Sequence, residues 1–240
     1  MDLSLGVAML IGIGPALALL YFGVRNYTYP RVEQPFFSDP TFFTMFVVGL
    51  VEGVVLSAAL WGFGFLSNLI FMVLFGVIQV LAMVVVMNLR RFRGKSDSVF
   101  YGYAVGLGQS SGLASGLCFY SLAVAGEVGY DLQSIVFLVV MSVSMSLLVG
   151  ACGTNVGEGI ARHRVMEFAL QALLLVVIYD LLLFGVIQWS GNIVLYAVAL
   201  IVMLVVAVYY YRRIMYEKLP QIVREVLKME GKKRSDLPKN

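Results

Sequence analysis

Histidine is almost missing from this chain of 240 residues: His163 is the only one. It stands between Arg162 and Arg164 in a short basic segment. A histidine-based metal centre or catalytic triad inside an apolar segment is therefore excluded. Cysteine is scarce too. Cys118 and Cys152 both fall within apolar stretches, where a thiol reads as a small buried hydrophobe rather than half of a disulfide framework. Charge is thin: 13% of residues are charged, against about 25% in an ordinary soluble domain. No glycine-rich phosphate loop of the P-loop type occurs. A basic leader is also missing, since Met1-Asp2-Leu3 opens straight into an apolar stretch long enough to span, so no cleavable signal peptide is expected. These absences leave no cofactor, no metal site and no nucleic-acid partner to expect.

What the chain has instead is apolar surface. Hydrophobic residues make up 60% of it and the mean hydropathy is +0.91. A spanning helix needs about 20 mostly apolar residues. Seven stretches qualify, at about 3–23, 41–64, 67–89, 99–125, 133–157, 166–188 and 192–211. Hydrocarbon satisfies no backbone polar groups, so each span has to be a helix, and the alternation of a β-barrel is absent. Pro15 falls inside the first span and is expected to kink it.

All 17 Lys and Arg residues lie between spans one and two, three and four, five and six, or after span seven. The alternate connections (65–67, 126–132 and 189–191) hold none. Positive charge marks the cytosolic side. The expectation is an all-α, seven-helix membrane bundle with its N-terminus outside and C-terminus cytosolic, multi-pass, and in the cell membrane if the source is prokaryotic. Residues 1–213 form the transmembrane domain and 214–240 a basic cytosolic tail. In that tail Met215, Leu219, Ile222, Val223 and Val226 recur at helical spacing among cations. This suggests an amphipathic helix on an anionic membrane surface, or a solvated extension of helix seven, followed by a disordered end. The segment 26–40, with Pro30, Pro35, Pro40, Tyr27, Tyr29, Phe36 and Phe37, reads as an interfacial loop.

Small residues cluster in spans four and five. Gly102, Gly106, Gly108, Gly112 and Gly116 share one arc of roughly 160° at about 100° per residue. Ser142, Ser146, Gly150, Gly153 and Gly157 share an arc of about 80°. Such faces let helices approach closely. Spans four and five are therefore expected to pack together, with Gly112 near Ser146–Gly150, or else to present an interface to a partner subunit or a second copy. Buried polarity is the other feature. An Asp at a helix centre costs about 2.5–3.5 kcal/mol to insert. Asp180 lies deep in span six and Glu52 midway along span two, while Gln79, Gln109 and Asn155 are uncharged intramembrane polar groups. The five predict a polar cavity inside the bundle, with Asp180 turned away from lipid. The plainer alternative is that they are structural, hydrogen-bonded between helices.

The order of features resembles the PrsW and CAAX-protease-like superfamily of glutamic intramembrane proteases, and within it the noncatalytic Aph subunit of gamma-secretase. Gly14-Pro15-Ala16-Leu17-Ala18-Leu19 is similar to the Aph opening G-P-A-x-A-L. Glu33-Gln34-Pro35 lies where PrsW proteins carry an acidic, Pro-rich loop. The run from Gly76 to Met83, leading to Arg90-Arg91, lies where they carry an E-E-x-x-K helix. Gly108, Gly112 and Gly116 look like the triple-glycine helix of Aph. The resemblance implies an intramembrane protease fold, but Gln79 and Val80 stand at the glutamate pair and Met83 at the lysine. The family's fifth-helix histidine falls near Val149, and the His and Asn of its later H-x-x-x-N fall on Asp180 and Phe184. Glutamine cannot serve as a general base. The resemblance therefore implies a noncatalytic scaffold, not an enzyme, that binds lipid or a helical membrane protein such as an intramembrane protease. Two alternatives stay open: a small transporter or channel along the polar residues, against which no inverted repeat or paired broken helices occur, and a divergent peptidase using Glu52 or Asp180.

Overall fold

The computed structural model describes residues 3–125, 132–232 and 234. Among the described residues every regular element is helical. The main helices are α1 (Leu3–Val24), α2 (Asp39–Gly62), α3 (Leu69–Met87), α4 (Ser98–Ala125), α5 (Leu132–Ala161), α6 (Val165–Gln188), α7 (Ile193–Arg212) and α8 (Leu219–Met229). Their ends follow from local chemistry. Pro40 stands in the first turn of α2, where its missing N–H costs nothing, beside Asp39 at the positive end of the helix dipole. Asn68 accepts from the Ile70 N–H at 2.9 Å and starts α3. Asn192 does the same for Val194 and Leu195 at the head of α7. Helix α1 runs on through Pro15.

Six helical segments are long and apolar enough to cross a membrane by length and composition: α1, α2, α3, α5, α6, and α7 continued through α8. The sequence expectation of seven exceeds this by α4. That helix has 28 residues, about 42 Å at 1.5 Å per residue, but it is built from Gly, Ser, Tyr and Gln where its neighbours carry Val and Leu. Its position explains the composition. Every residue from 98 to 114 is buried, with α2, α5 and α1 as its main neighbours. A helix that meets protein on all sides needs small side chains more than apolar ones. Helix α3 lies mainly against α6, and α5 also carries α6 and α7.

The basic segments meet at one end. Gly94 N–H donates to the Ile160 carbonyl at 3.3 Å. Arg162 pairs with Glu158 and Glu225, each at 2.7 Å. Ser96 bonds Glu230 at 2.7 Å, and Arg234 bonds the Gln34 carbonyl while lying 3.8 Å over the Phe36 ring. Connections 25–38, 88–97 and 162–164 and the segment after α7 thus share one face. The segment 26–40 is more than interfacial. Tyr27, Phe36 and Phe37 are buried, and Tyr27 and Phe37 each lie 5.0 Å from the Phe100 ring at the head of α4. Burial pushes the Tyr27 phenol pKa up.

The tail differs from the expected surface helix. A π-helical turn, Arg213–Lys218, joins α7 to α8. The apolar face of α8 is buried in the protein: Ile222, Val223, Val226 and Leu227 are all 4% exposed or less. Its amphipathic pattern serves docking under the bundle rather than adsorption to lipid. The expected disorder covers 231–240; of these Gly231 and Lys232 donate to the Lys228 and Leu227 carbonyls, while 233 and 235–240 lie outside the described residues.

Candidate functional site

Close helix approach at glycine dominates the centre. A methyl group added at Gly102 would lie 2.2 Å from the Gly153 carbonyl oxygen, and one at Gly153 would lie 2.2 Å from the Gly102 oxygen. A methyl at Gly106 would lie 2.4 Å from the Val149 oxygen, and one at Gly157 would lie 2.4 Å from the Ser98 oxygen. These contacts join α4 to α5. Gly150 lies beside Leu107 and Tyr103 of α4.

The other glycines of α4 turn elsewhere. A methyl group at Gly112 would sit 2.2 Å from the Leu50 oxygen, and one at Gly108 would sit 2.0 Å from the Phe46 oxygen. A methyl at Gly116 would lie 2.1 Å from Ser57 Oγ. All three belong to the α2 interface, so the expectation that Gly112 lies against Ser146–Gly150 of α5 is corrected. The partner stripe on α2 is Gly49 and Gly53, where an added methyl would lie 2.2 Å from the Val105 oxygen and 2.1 Å from the Gln109 oxygen. In the sequence this stripe is the Gly49-x-x-x-Gly53 pair that flanks Glu52. Both α4 stripes are consumed inside the chain, so neither is open to a partner subunit. The serines of α5 divide as well. Ser142 Oγ donates to the Ile11 carbonyl of α1 at 2.6 Å, whereas Ser146 Oγ is buried without a partner.

The intramembrane polar groups separate into two places. Gln109 Nε2 donates to the Gln79 carbonyl oxygen at 2.9 Å, and its side chain also bonds the Glu52 carboxyl. Asp180 is 1% exposed and faces Gly76, one turn before Gln79, where an added methyl would lie 2.8 Å from Asp180 Oδ2. Four acceptor oxygens here lack a donor: Glu52 Oε2, Gln79 Oε1, Gln109 Oε1 and Asp180 Oδ2. Neighbouring Tyr179 is satisfied, lying 2.9 Å from Ser144 Oγ and donating to the Met141 carbonyl at 3.1 Å. Asn155 is not part of this group. Its Nδ2 donates to Tyr210 Oη at 2.5 Å, which corrects the expectation of a single five-residue cavity. Among the described residues no group of three or more His, Cys, Asp or Glu could hold a metal. Cys152 Sγ is directed at the Ala172 carbonyl, 3.8 Å away.

Among the described residues, three clefts at the surface are of similar size. One, of about 490 Å³, lies at the end away from the basic segments, walled by Trp61, Leu117, Phe137, Leu183 and Tyr196. A second, of about 520 Å³, runs between α6 and α7 and has Asn155, Arg213 and Lys218 in its lining. The third, of about 440 Å³, lies between α1, α2 and the segment 25–38. None of the three reaches Glu52, Gln79, Gln109 or Asp180. Known protein families, curated proteins and solved structures provide no match to the chain.

Proposed function

We propose that the chain is a noncatalytic, seven-span membrane subunit of the PrsW/Aph type, with its N-terminus outside and its C-terminus in the cytosol, that acts as a scaffold for lipid or for another helical membrane protein. Closure of the core is the observation that carries this reading. Helix α4 is enclosed from 98 to 114, and no cleft described above leads to Gln79 or Asp180. The deepest acid, Asp180, is 1% exposed, and Gln79 stands where the resembled proteases need a glutamate base. With both glycine stripes used internally, a partner would meet the outer faces instead. There Val47, Val51 and Val55 of α2 and Val198, Ile201 and Val205 of α7 are exposed. Interaction through that surface is also what a scaffold requires.

The test is purification in native lipid with mass spectrometry of co-purifying proteins, alongside a cleavage assay on membrane-peptide libraries. A membrane protein enriched in constant ratio, with no cleavage above a detergent blank, is the expected result. Reproducible cleavage that Asp180→Asn abolishes would replace the scaffold with a peptidase.

A further inference from the structure

We propose that the groove between α6 and α7 is a binding site for one anionic phospholipid from the leaflet on the basic side; the inference rests on the membrane reading above. The groove holds about 520 Å³. Its chemistry is graded along its length. Arg213 and Lys218 stand at one end, where α7 leaves the apolar span. Leu174 and Leu175 lie nine and ten residues into α6 from Val165, about 14–15 Å along the axis. Val205 and Val206 lie six or seven residues back from Arg212, about 9–11 Å. Cations at interface depth with aliphatic walls leading toward mid-membrane match a phosphate headgroup and its acyl chain. Leu174 is 64% exposed and Val205 59%, so the groove is open sideways to lipid.

The π turn is what assembles the cationic end. In an α-helix Arg213 and Lys218 would lie about 140° apart around the axis. The wider turn, closed by the Leu219 N–H on the Ile214 carbonyl, narrows that separation, and both cations line the groove. Neither forms an ion pair among the described residues. The nearby acid Glu158 is held by Arg162 at 2.7 Å and also lies within electrostatic reach of Lys218, and Glu217 of the same turn is not in the lining. Two cations and no carboxylate line this end of the groove, so its positive charge exceeds what Glu158 offsets. Basic pockets between helices at this depth hold anionic headgroups.

The full chain would be reconstituted in nanodiscs containing phosphatidylcholine and phosphatidylglycerol, extracted in mild detergent, and its retained lipids counted by native mass spectrometry. Wild type should keep one phosphatidylglycerol in preference to phosphatidylcholine. Arg213→Gln with Lys218→Gln should lower that preference about tenfold, while Arg90→Gln with Arg93→Gln, on the same side but outside the groove, should leave it unchanged. Val205→Trp, which fills the groove and keeps both cations, should lower retention of both lipids. Equal retention of the two lipids by reconstituted wild type would overturn the proposal, as would equal losses in the groove and control variants. A Val205→Trp variant that retains lipid normally, or an acidic peptide co-purifying in place of lipid, would overturn it too. A chain that stays out of the nanodiscs would overturn the membrane reading along with it.

Discussion

At the scale of single residues, glycine sets the distances between helices. Gly112 shows the constraint, since its Cα leaves no room for a side chain before the Leu50 carbonyl. Gly112→Leu has to separate α4 from α2, an overpacking that costs about 1–3 kcal/mol or more in a packed core. Gly14 of α1 is the control, because an added methyl there would meet nothing within 4 Å. Thermal unfolding in detergent should show Gly112→Leu melting clearly below wild type and Gly14→Ala melting at or above it. Equal melting of Gly112→Leu and wild type would contradict the packing described. The sequence made the glycines legible but not their partners. Gly102 and Gly106 centre about 100° away from the trio Gly108, Gly112 and Gly116 around the helix. The single broad arc was thus two stripes serving two neighbours. Adjacency in sequence favoured α5 for all five, whereas α2 takes three. Asp180 was legible as an interior group because its insertion cost demands it. That Asn155 bonds Tyr210 was not, since both belong to long helices whose relative rotation only packing fixes.

At the scale of elements, α8 is the clearest case of a pattern with two physical solutions. Its period places Ile222, Val223, Val226 and Leu227 on one side, and the same stripe would suit a lipid surface or a protein groove. Nothing local chooses between them. The choice comes from distant residues: Arg162 reaching Glu225, Ser96 reaching Glu230, and Thr154 Oγ1 donating to Met215 Sδ at 3.4 Å. Val226 is fully buried, so Val226→Asp would place an unpaired carboxylate in the interface, one of the few single changes that destabilise severely. Hydrogen exchange should then lose its protection across residues 219–229 while the middle of α5 stays protected. If α8 instead lies on lipid, protection in detergent should be low already in wild type. Helix α4 failed the hydropathy criterion for the converse reason: its environment is protein, which the average apolarity of a sequence window does not register.

At the scale of the whole molecule, the distribution of Lys and Arg and the three-dimensional meeting of their segments describe one polarity. The connections that carry cations are bonded to one another, from Gly94 with Ile160 to Arg234 with Gln34. This supports the orientation in which that face is cytosolic. Both native cysteines are fully buried, which leaves a quiet background for labelling. A cysteine placed at exposed Gly191 should react with an impermeant maleimide added to intact cells, and one at exposed Lys232 should react only after permeabilisation. The opposite pattern would invert the topology, and labelling of both from outside would break the span count. The apolar helices were readable from one sequence because length and hydropathy are local properties summed over many residues.

The enclosure of α4 also bears on how the protein is made. A segment leaving the ribosome is released into the bilayer according to its own apolarity, and this one carries its glycines where its neighbours carry leucine. When it emerges, α2 has already been synthesised and offers Gly49 and Gly53, but α5, which supplies Gly153 and Gly157, is still to come. The centre of the finished protein is thus its least apolar long helix, with its neighbours α1 and α2 made before it and α5 only after it.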